Sequence, residues 1–199
     1  MSRANVNGSL YLSSRVSGAT NASPVVITTA AAHNLVTGQT VTVENVQGNK
    51  GANGTFAITV VTSTTFSMTG SVGTGAYISG GTVKSKFSGA RTASVNTDPV
   101  HSPDAIAIHV IIDVTAVAST PSIVPTIQGY AAQSGVWYDI LVGNAITATG
   151  TTVLKVGLNI APSVNSAAQD LIPEQWRVEM VAADSDSITY TIEYNMTNK

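Results

Sequence analysis

"QTVTVENVQGNKGANGTFAITVVTSTTFSMT" (residues 39–69) sets apolar residues at every second position in three short runs, broken by Gly, Asn, Ser and Thr. In 39–46, Val41 and Val43 share one face, and Thr40, Thr42 and Glu44 the other. In 54–61, Phe56, Ile58 and Val60 point inward, as do Phe66 and Met68 in 64–69. A period of two, carried by β-branched and aromatic residues, predicts strands. The link Thr62-Ser63 is short enough to make the last two a hairpin. Outward from this stretch, "PVVITTA" (24–30) predicts a preceding strand. "GAYISGGTVKSK" (75–86) predicts a closing hairpin around Gly80-Gly81. Residues 24–86 thus read as a small β-barrel-like module.

The same pattern continues to the C-terminus. "AIAIHVIIDVTAV" (105–117) places Ile106, Ile108, Val110, Ile112 and Val114 on one face. "SIVPTIQGYA" (122–131), "GVWYDILV" (135–142), "TTVLKVGLN" (151–159), "QWRVEMVAA" (175–183) and "SITYTIEYN" (187–195) follow, with "DSDS" turning between the last two. In 175–183 Trp176, Val178 and Met180 face one way, Arg177 and Glu179 the other. Strands at this spacing argue for an antiparallel β-sandwich over 87–199. Pro125 removes a ladder donor and predicts an edge or bulged strand. The single helical candidate, 163–176, amounts to a short turn before Pro173. The fold class is therefore all-β, a small N-terminal module followed by a sandwich. Residues 1–23, rich in Ser, Asn, Gly and Ala, read as an arm whose apolar cluster is Leu10, Tyr11 and Leu12.

Composition narrows function. Charged residues make up only 10% of the 199, and the net charge is −2, so no global field draws the chain to nucleic acid or an acidic membrane. The absence of cysteine excludes disulfides, thiolate nucleophiles and thiolate metal sites. "MSRANVNGSLYLSSRVSG" has no apolar core of a secretory leader, and the apolar run from Ala105 is too short to cross a membrane as a helix. The chain is expected to be made and used without secretion.

Three histidines invite a chemical reading. His33 stands in "AAHNLVTGQT", where Leu35 can tuck under a turn and Gly38 can take positive φ, with no second histidine or carboxylate nearby. It reads as a turn residue rather than a ligand or base. His109 and Asp113 share a strand face about 13 Å apart, too far to pair directly, and His101 and Asp104 flank a proline in a turn. "GNKGANG" (48–54) lacks the Gly-Lys-Ser/Thr and following helix of a phosphate loop, and "DSDS" lacks the rest of a calcium loop. Trp137 and Tyr138 could stack on a sugar or base; alternation makes Trp137 a core residue and Tyr138 a surface one. No catalytic, cofactor-binding or metal-ligating residue is assigned, and no enzyme is expected.

Residues 24–86 carry further motifs: a strand ending Thr-Thr-Ala, His-x-Leu-x-Thr-Gly-Gln-x-Val, Ala-Asn-Gly-Thr-Phe, Thr-Thr-Phe-x-Met-x-Gly-Ser and Gly-x-Gly-Ala-Tyr-x-Ser-Gly-Gly. This run resembles a small β module common in tailed-bacteriophage virion proteins. It is also similar to the first catalytic cysteine half-domain (FCCH) of ubiquitin-activating enzymes, a name that implies no activity in a chain without cysteine. Farther on, "DVTAVASTPSIVPTIQ", "SGVWYDI", "TATGTTVLKVG" and "WRVEM" resemble strands of β-sandwich domains in phage head-associated proteins. The resemblance implies a non-enzymatic virion structural protein, made in the bacterial cytoplasm. The expected role is a capsid decoration (cement) protein or short head fibre on the head surface. Its implied partners are the major capsid protein, copies of itself (a trimer favoured among homo-oligomers), or both, with no cofactor, nucleic acid or membrane. The alternative is a tail fibre or baseplate-associated adhesin binding host surface glycan. In either setting the arm, through Arg3, Leu10, Tyr11, Leu12 and Arg15, is the expected assembly contact.

Overall fold

A computed structural model describes residues 5–199. Among the described residues there are seventeen strands and, as the one helical element, a 3-10 turn at Lys50–Ala52. The chain divides into two compact units, but they are nested rather than consecutive. One holds residues 5–10 and 90–199; the other, Tyr11–Gly89, is inserted between them.

The described part of the N-terminal stretch expected to be an arm forms two strands. β1 (Asn5–Ser9) runs antiparallel to the last strand of the chain, pairing Asn5 with Thr197 and Ser9 with Glu193. β2 (Tyr11–Ala19) belongs to the inserted unit. Polar composition hid both. β1 is an edge strand that needs few apolar residues, and Gly8 serves a packing purpose: a Cβ there would lie 2.5 Å from the Tyr194 ring. β2 hides its period in Leu12 and Val16, both buried between exposed serines and Arg15.

The inserted unit is a closed barrel in the order β2–β3–β6–β5–β4–β7, with β3 at Val26–Thr29, β4 at Thr40–Glu44, β5 at Gly54–Thr62, β6 at Thr65–Met68 and β7 at Thr82–Lys86. Closure removes free sheet edges, and it requires β2, which pairs with β3 on one side and β7 on the other. The interior is filled by Leu12, Val16, Ile27, Val41, Val43, Ile58, Phe66, Met68 and Val83. The β5–β6 hairpin forms as expected. The hairpin expected around Gly80-Gly81 does not: residues 75–81 are a loop, tied down by the Gln47–Ser79 bridge, by Gly75 N–H donating to Asn21 Oδ1 and by the Tyr77 hydroxyl donating to the Val16 and Gly80 carbonyls. Both glycines have positive φ there, and side chains at 80 and 81 would press on the Asn45 carbonyl and Val16. This is close packing rather than a hairpin turn.

The outer unit is a sandwich. The remaining strands are β8 (Ala90–Arg91), β9 (Val95–Asn96), β10 (Val100–His101), β11 (Ala105–Val117), β12 (Ile123–Ala131), β13 (Val136–Val142), β14 (Gly150–Gly157), β15 (Ala167–Ala168), β16 (Gln175–Ala182) and β17 (Ile188–Asn198). One sheet runs β1–β17–β11–β14–β15, with β8 also on β17; the other runs β10–β16–β12–β13, with β9 also on β16. All pairs are antiparallel except β14 with β15. The sheets face each other through Ile108, Val110, Ile112, Leu154, Tyr190 and Ile192 on one side and Ile123, Ile127, Trp176, Val178 and Met180 on the other, all buried. The Trp176 and Tyr194 rings meet edge to face, 5.5 Å apart.

Two details of the second sheet differ from expectation. β12 is interior rather than an edge. Pro125 is tolerated because the β13 ladder begins only at Thr126–Val142, and the Pro125 carbonyl still accepts from Gly143 N–H. The irregularity lies farther along, between Ile127 and Gln128, where β13 carries one extra residue. That bulge inverts the alternation of β13. Leu141 turns inward opposite Ile127, while Asp139 and Trp137 turn outward opposite Gln128 and Tyr130. Trp137 is consequently half-buried on the outer face and not a core residue.

Candidate functional site

In the barrel, the histidine is spent on a turn. The residue after it, Asn34, sits at positive φ, 53°. Leu35 N–H donates to His33 Nδ1 at 3.0 Å, which makes Nδ1 the unprotonated nitrogen; Nε2–H then donates to the Thr62 carbonyl at 3.1 Å. The ring stands edge-on to Phe66 at 5.4 Å and is almost wholly buried. Burial holds its pKa below the ordinary histidine value, against the opposing pull of the Thr65 and Thr62 backbone groups. Protonation would set an Nδ1–H against the Leu35 N–H.

Because the folded state binds this proton less readily than the unfolded chain, its contribution is fully present above the unfolded histidine value of about 6.5. It is lost as pH falls through the folded pKa. His109 adds in the same direction, its pKa lowered by burial and then by Lys155. Thermal stability is expected to be flat above pH 7 and to fall towards pH 5, with a shallower fall in His33→Asn. His33→Ala should cost about 1–3 kcal/mol, as two buried groups lose their partner. Melting curves across pH 5–8 check both; a wild-type melt that rises on acidification would contradict this role.

The glycine-rich loop behaves likewise. Asn49 is fully buried, donating through Nδ2 to the Thr20 carbonyl and accepting at Oδ1 from Thr74 N–H. Asn53 closes a two-way bond with the Val46 backbone. A Cβ on Gly51 would come within 2.0 Å of the Val72 carbonyl oxygen. These residues knit loops together and present no cradle for phosphate.

The expected assembly residues are dispersed. Arg3 lies outside the described residues. Leu10 is buried in the outer unit, where its N–H donates to the Ile192 carbonyl. Leu12 is buried inside the barrel, Tyr11 is half-buried beneath the Lys84 ammonium at 4.1 Å, and Arg15 is exposed on β2. Leu10 and Leu12 are thus committed to internal packing, in different units, and do not form one outward docking patch with the half-buried Tyr11. The other weighed residues have separate partners: Asp113 accepts from Thr151 Oγ1, and His101 pairs with Glu174 at 3.3 Å in the open. His109 stands in the β11 row beside Asn195 and Lys155, lining a shallow hollow of about 270 Å³ with Asn5, Asn7 and Thr197.

The structure assembles one constellation that sequence spacing did not. On the outer face of the β16–β12–β13 sheet, Gln128 is largely buried and its amide nitrogen donates to Asp139 Oδ1 at 2.9 Å and Glu179 Oε2 at 2.8 Å. Its carbonyl oxygen accepts from Arg177 Nε at 2.9 Å. The Arg177 guanidinium lies over the Trp137 ring, 4.2 Å from its centroid, and Tyr130 packs on that ring at 4.9 Å. The cross-strand pairs Gln128–Asp139, Gln128–Arg177, Thr126–Glu179 and Tyr130–Trp137 bring these side chains together. The outward placement of Arg177 and Glu179 was readable from alternation. The contributions of Asp139 and Trp137 depend on the bulge and were not.

A family model described as the ubiquitin-activating enzyme E1 FCCH domain matches residues 21–86. The match covers five of the six barrel strands and begins after β2. No curated protein matches the chain.

Proposed function

We propose that this chain is a non-enzymatic structural protein of a tailed-bacteriophage virion, most simply a capsid decoration protein or short head fibre bound to the assembled head. The observation that carries this reading is the use made of the barrel's motif residues. His33, Gly48, Asn49, Gly51, Asn53 and Phe66 all serve turns, loop ties and core packing. A module whose distinctive residues hold its own shape is a scaffold, and the phage-type motifs it carries supply the setting. The sandwich is consistent with this. Its grouped carboxylates lie on an outward sheet face and are tied to Gln128, an arrangement suited to binding. In this role the protein would stabilise the particle by binding and cross-linking capsid subunits, with the major capsid protein, further copies of itself, or both as partners.

A second reading, a tail fibre or baseplate-associated adhesin for surface glycan, is favoured by one observation: the half-buried Trp137 and Tyr130 beside two carboxylates on that face. Antibody labelling of purified particles distinguishes the two.

A further inference from the structure

We propose that the basic outer face of the barrel, carried by Arg15, Lys84 and Lys86, docks on the acidic sandwich unit of a second copy of this chain. Behind it stands a division of charge that the whole-chain figure conceals. Residues 11–89 hold Arg15, Lys50, Lys84 and Lys86 against Glu44 alone, a net charge of +3. Residues 1–10 and 90–199 hold ten carboxylates against five cations, a net charge of −5, and the two together make the −2 of the chain. The inserted unit is basic and its host acidic.

The barrel gathers three of its cations on one face. In β7 the side chains of Val83 and Ser85 turn into the barrel, so those of Lys84 and Lys86 turn out, about 6.7 Å apart by strand rise. In β2 Leu12 and Val16 turn in, so Tyr11, Ser13 and Arg15 turn out. Register sets Ser13 opposite Lys84 and Arg15 opposite Thr82, which makes Arg15 and Lys84 diagonal neighbours, about 7 Å apart. All three cations are exposed, and among the described residues none of them takes part in an ion pair. Lys84 lies over the Tyr11 ring, and Glu44, opposite Thr82 on β4, is the one acid at the margin of this face. Like charges at such spacing repel, and an anionic partner removes that cost.

The division of charge also selects the partner. A uniformly anionic partner, such as a nucleic acid or an acidic membrane, is drawn to the barrel but repelled by the sandwich tethered to it. A second copy carries the complement of both units: its sandwich receives this barrel, and its own barrel faces a further sandwich. The contact joins two different surfaces, so it is heterologous and can repeat from copy to copy. Exposed ion pairs are individually weak. The association is therefore reversible and weakens as salt shortens the reach of charge, from about 10 Å at 0.1 M to about 3 Å at 1 M. It does not rest on the virion reading and is decided by the behaviour of the purified chain.

Sedimentation velocity of the full chain tests this. The wild type should associate with rising concentration in about 0.1 M salt and sediment as a monomer in about 1 M salt. Arg15→Gln, Lys84→Gln and Lys86→Gln combined should weaken association about tenfold or more, with an unaltered melting curve because all three side chains are exposed. Carbodiimide cross-linking of mixed isotopically light and heavy wild-type chains should join Lys84 or Lys86 of one copy to a carboxylate within residues 90–199 of another. A chain that stays monomeric at low salt would overturn the proposal. So would association that ignores salt or the combined substitution, cross-links confined to single chains, or capture by DNA or anionic vesicles in place of self-association.

Discussion

A fragment spanning Tyr11–Gly89 is expected to fold with a cooperative melt, and a fragment spanning Pro24–Lys86 is expected to be unfolded. The two differ chiefly by β2, which pairs through Tyr11–Arg15 with β7 and through Val16, Gly18 and Ala19 with β3. Without it the barrel opens and two strand edges lose their ladder. Leu12 and Val16 also leave the interior, each a loss of about 1.5–3 kcal/mol. For a unit of this size, where total stability is about 5–15 kcal/mol at most, that loss is decisive. The family match over residues 21–86 would tempt an experimenter to the shorter cut. Circular dichroism melts of the two fragments check the point, and a cooperative transition from Pro24–Lys86 would show that β2 is dispensable. Removal of residues 2–22 from the full chain should damage both units for the same reason, since it also deletes β1 from the sandwich.

The second large effect is at Trp176. Its side chain is fully buried between the sheets, its ring edge meets Tyr194, and its indole N–H donates to Ser102 Oγ at 2.9 Å. Trp176→Ala should cost about 3–5 kcal/mol through the cavity it leaves, with a fall in melting temperature on the order of 10 °C. Trp176→Phe keeps most of the ring but orphans the serine, and should cost about 1–3 kcal/mol less than the alanine change. Thermal denaturation of the two variants measures both. Equal effects would place the stabilisation in the hydrogen bond rather than in packing.

These two sites mark where sequence reasoning succeeds and where it stops. Trp176, Val178 and Met180 were legible as core because a regular strand alternates without interruption, and Arg177 and Glu179 as outward for the same reason. His33 was legible as a turn residue from its neighbours Asn34, Leu35 and Gly38. β1 was not legible, because its partner, Glu193–Thr197, lies at the opposite end of the chain, and Gly8 in a strand makes sense only beside the Tyr194 ring. Nor could the boundary between Leu10 and Tyr11 be seen: it cuts through the single apolar cluster of the N-terminal stretch, sending Leu10 to one core and Leu12 to another. At the candidate site, one extra residue in β13 decides everything. With regular pairing Trp137 would have turned into the core; with the bulge it stands outward beside Arg177. A bulge is a property of two paired strands, and neither strand alone announces it.

We propose that this nested pair of β units is a virion part that works by binding. Gold-labelled antibody against the chain, applied to intact purified particles and viewed by electron microscopy, tests it most directly. Gold distributed over the head surface is the expected result. Particles that carry no label, while the protein is found free in the lysate, would contradict it; gold confined to the tail would replace head decoration with the adhesin reading.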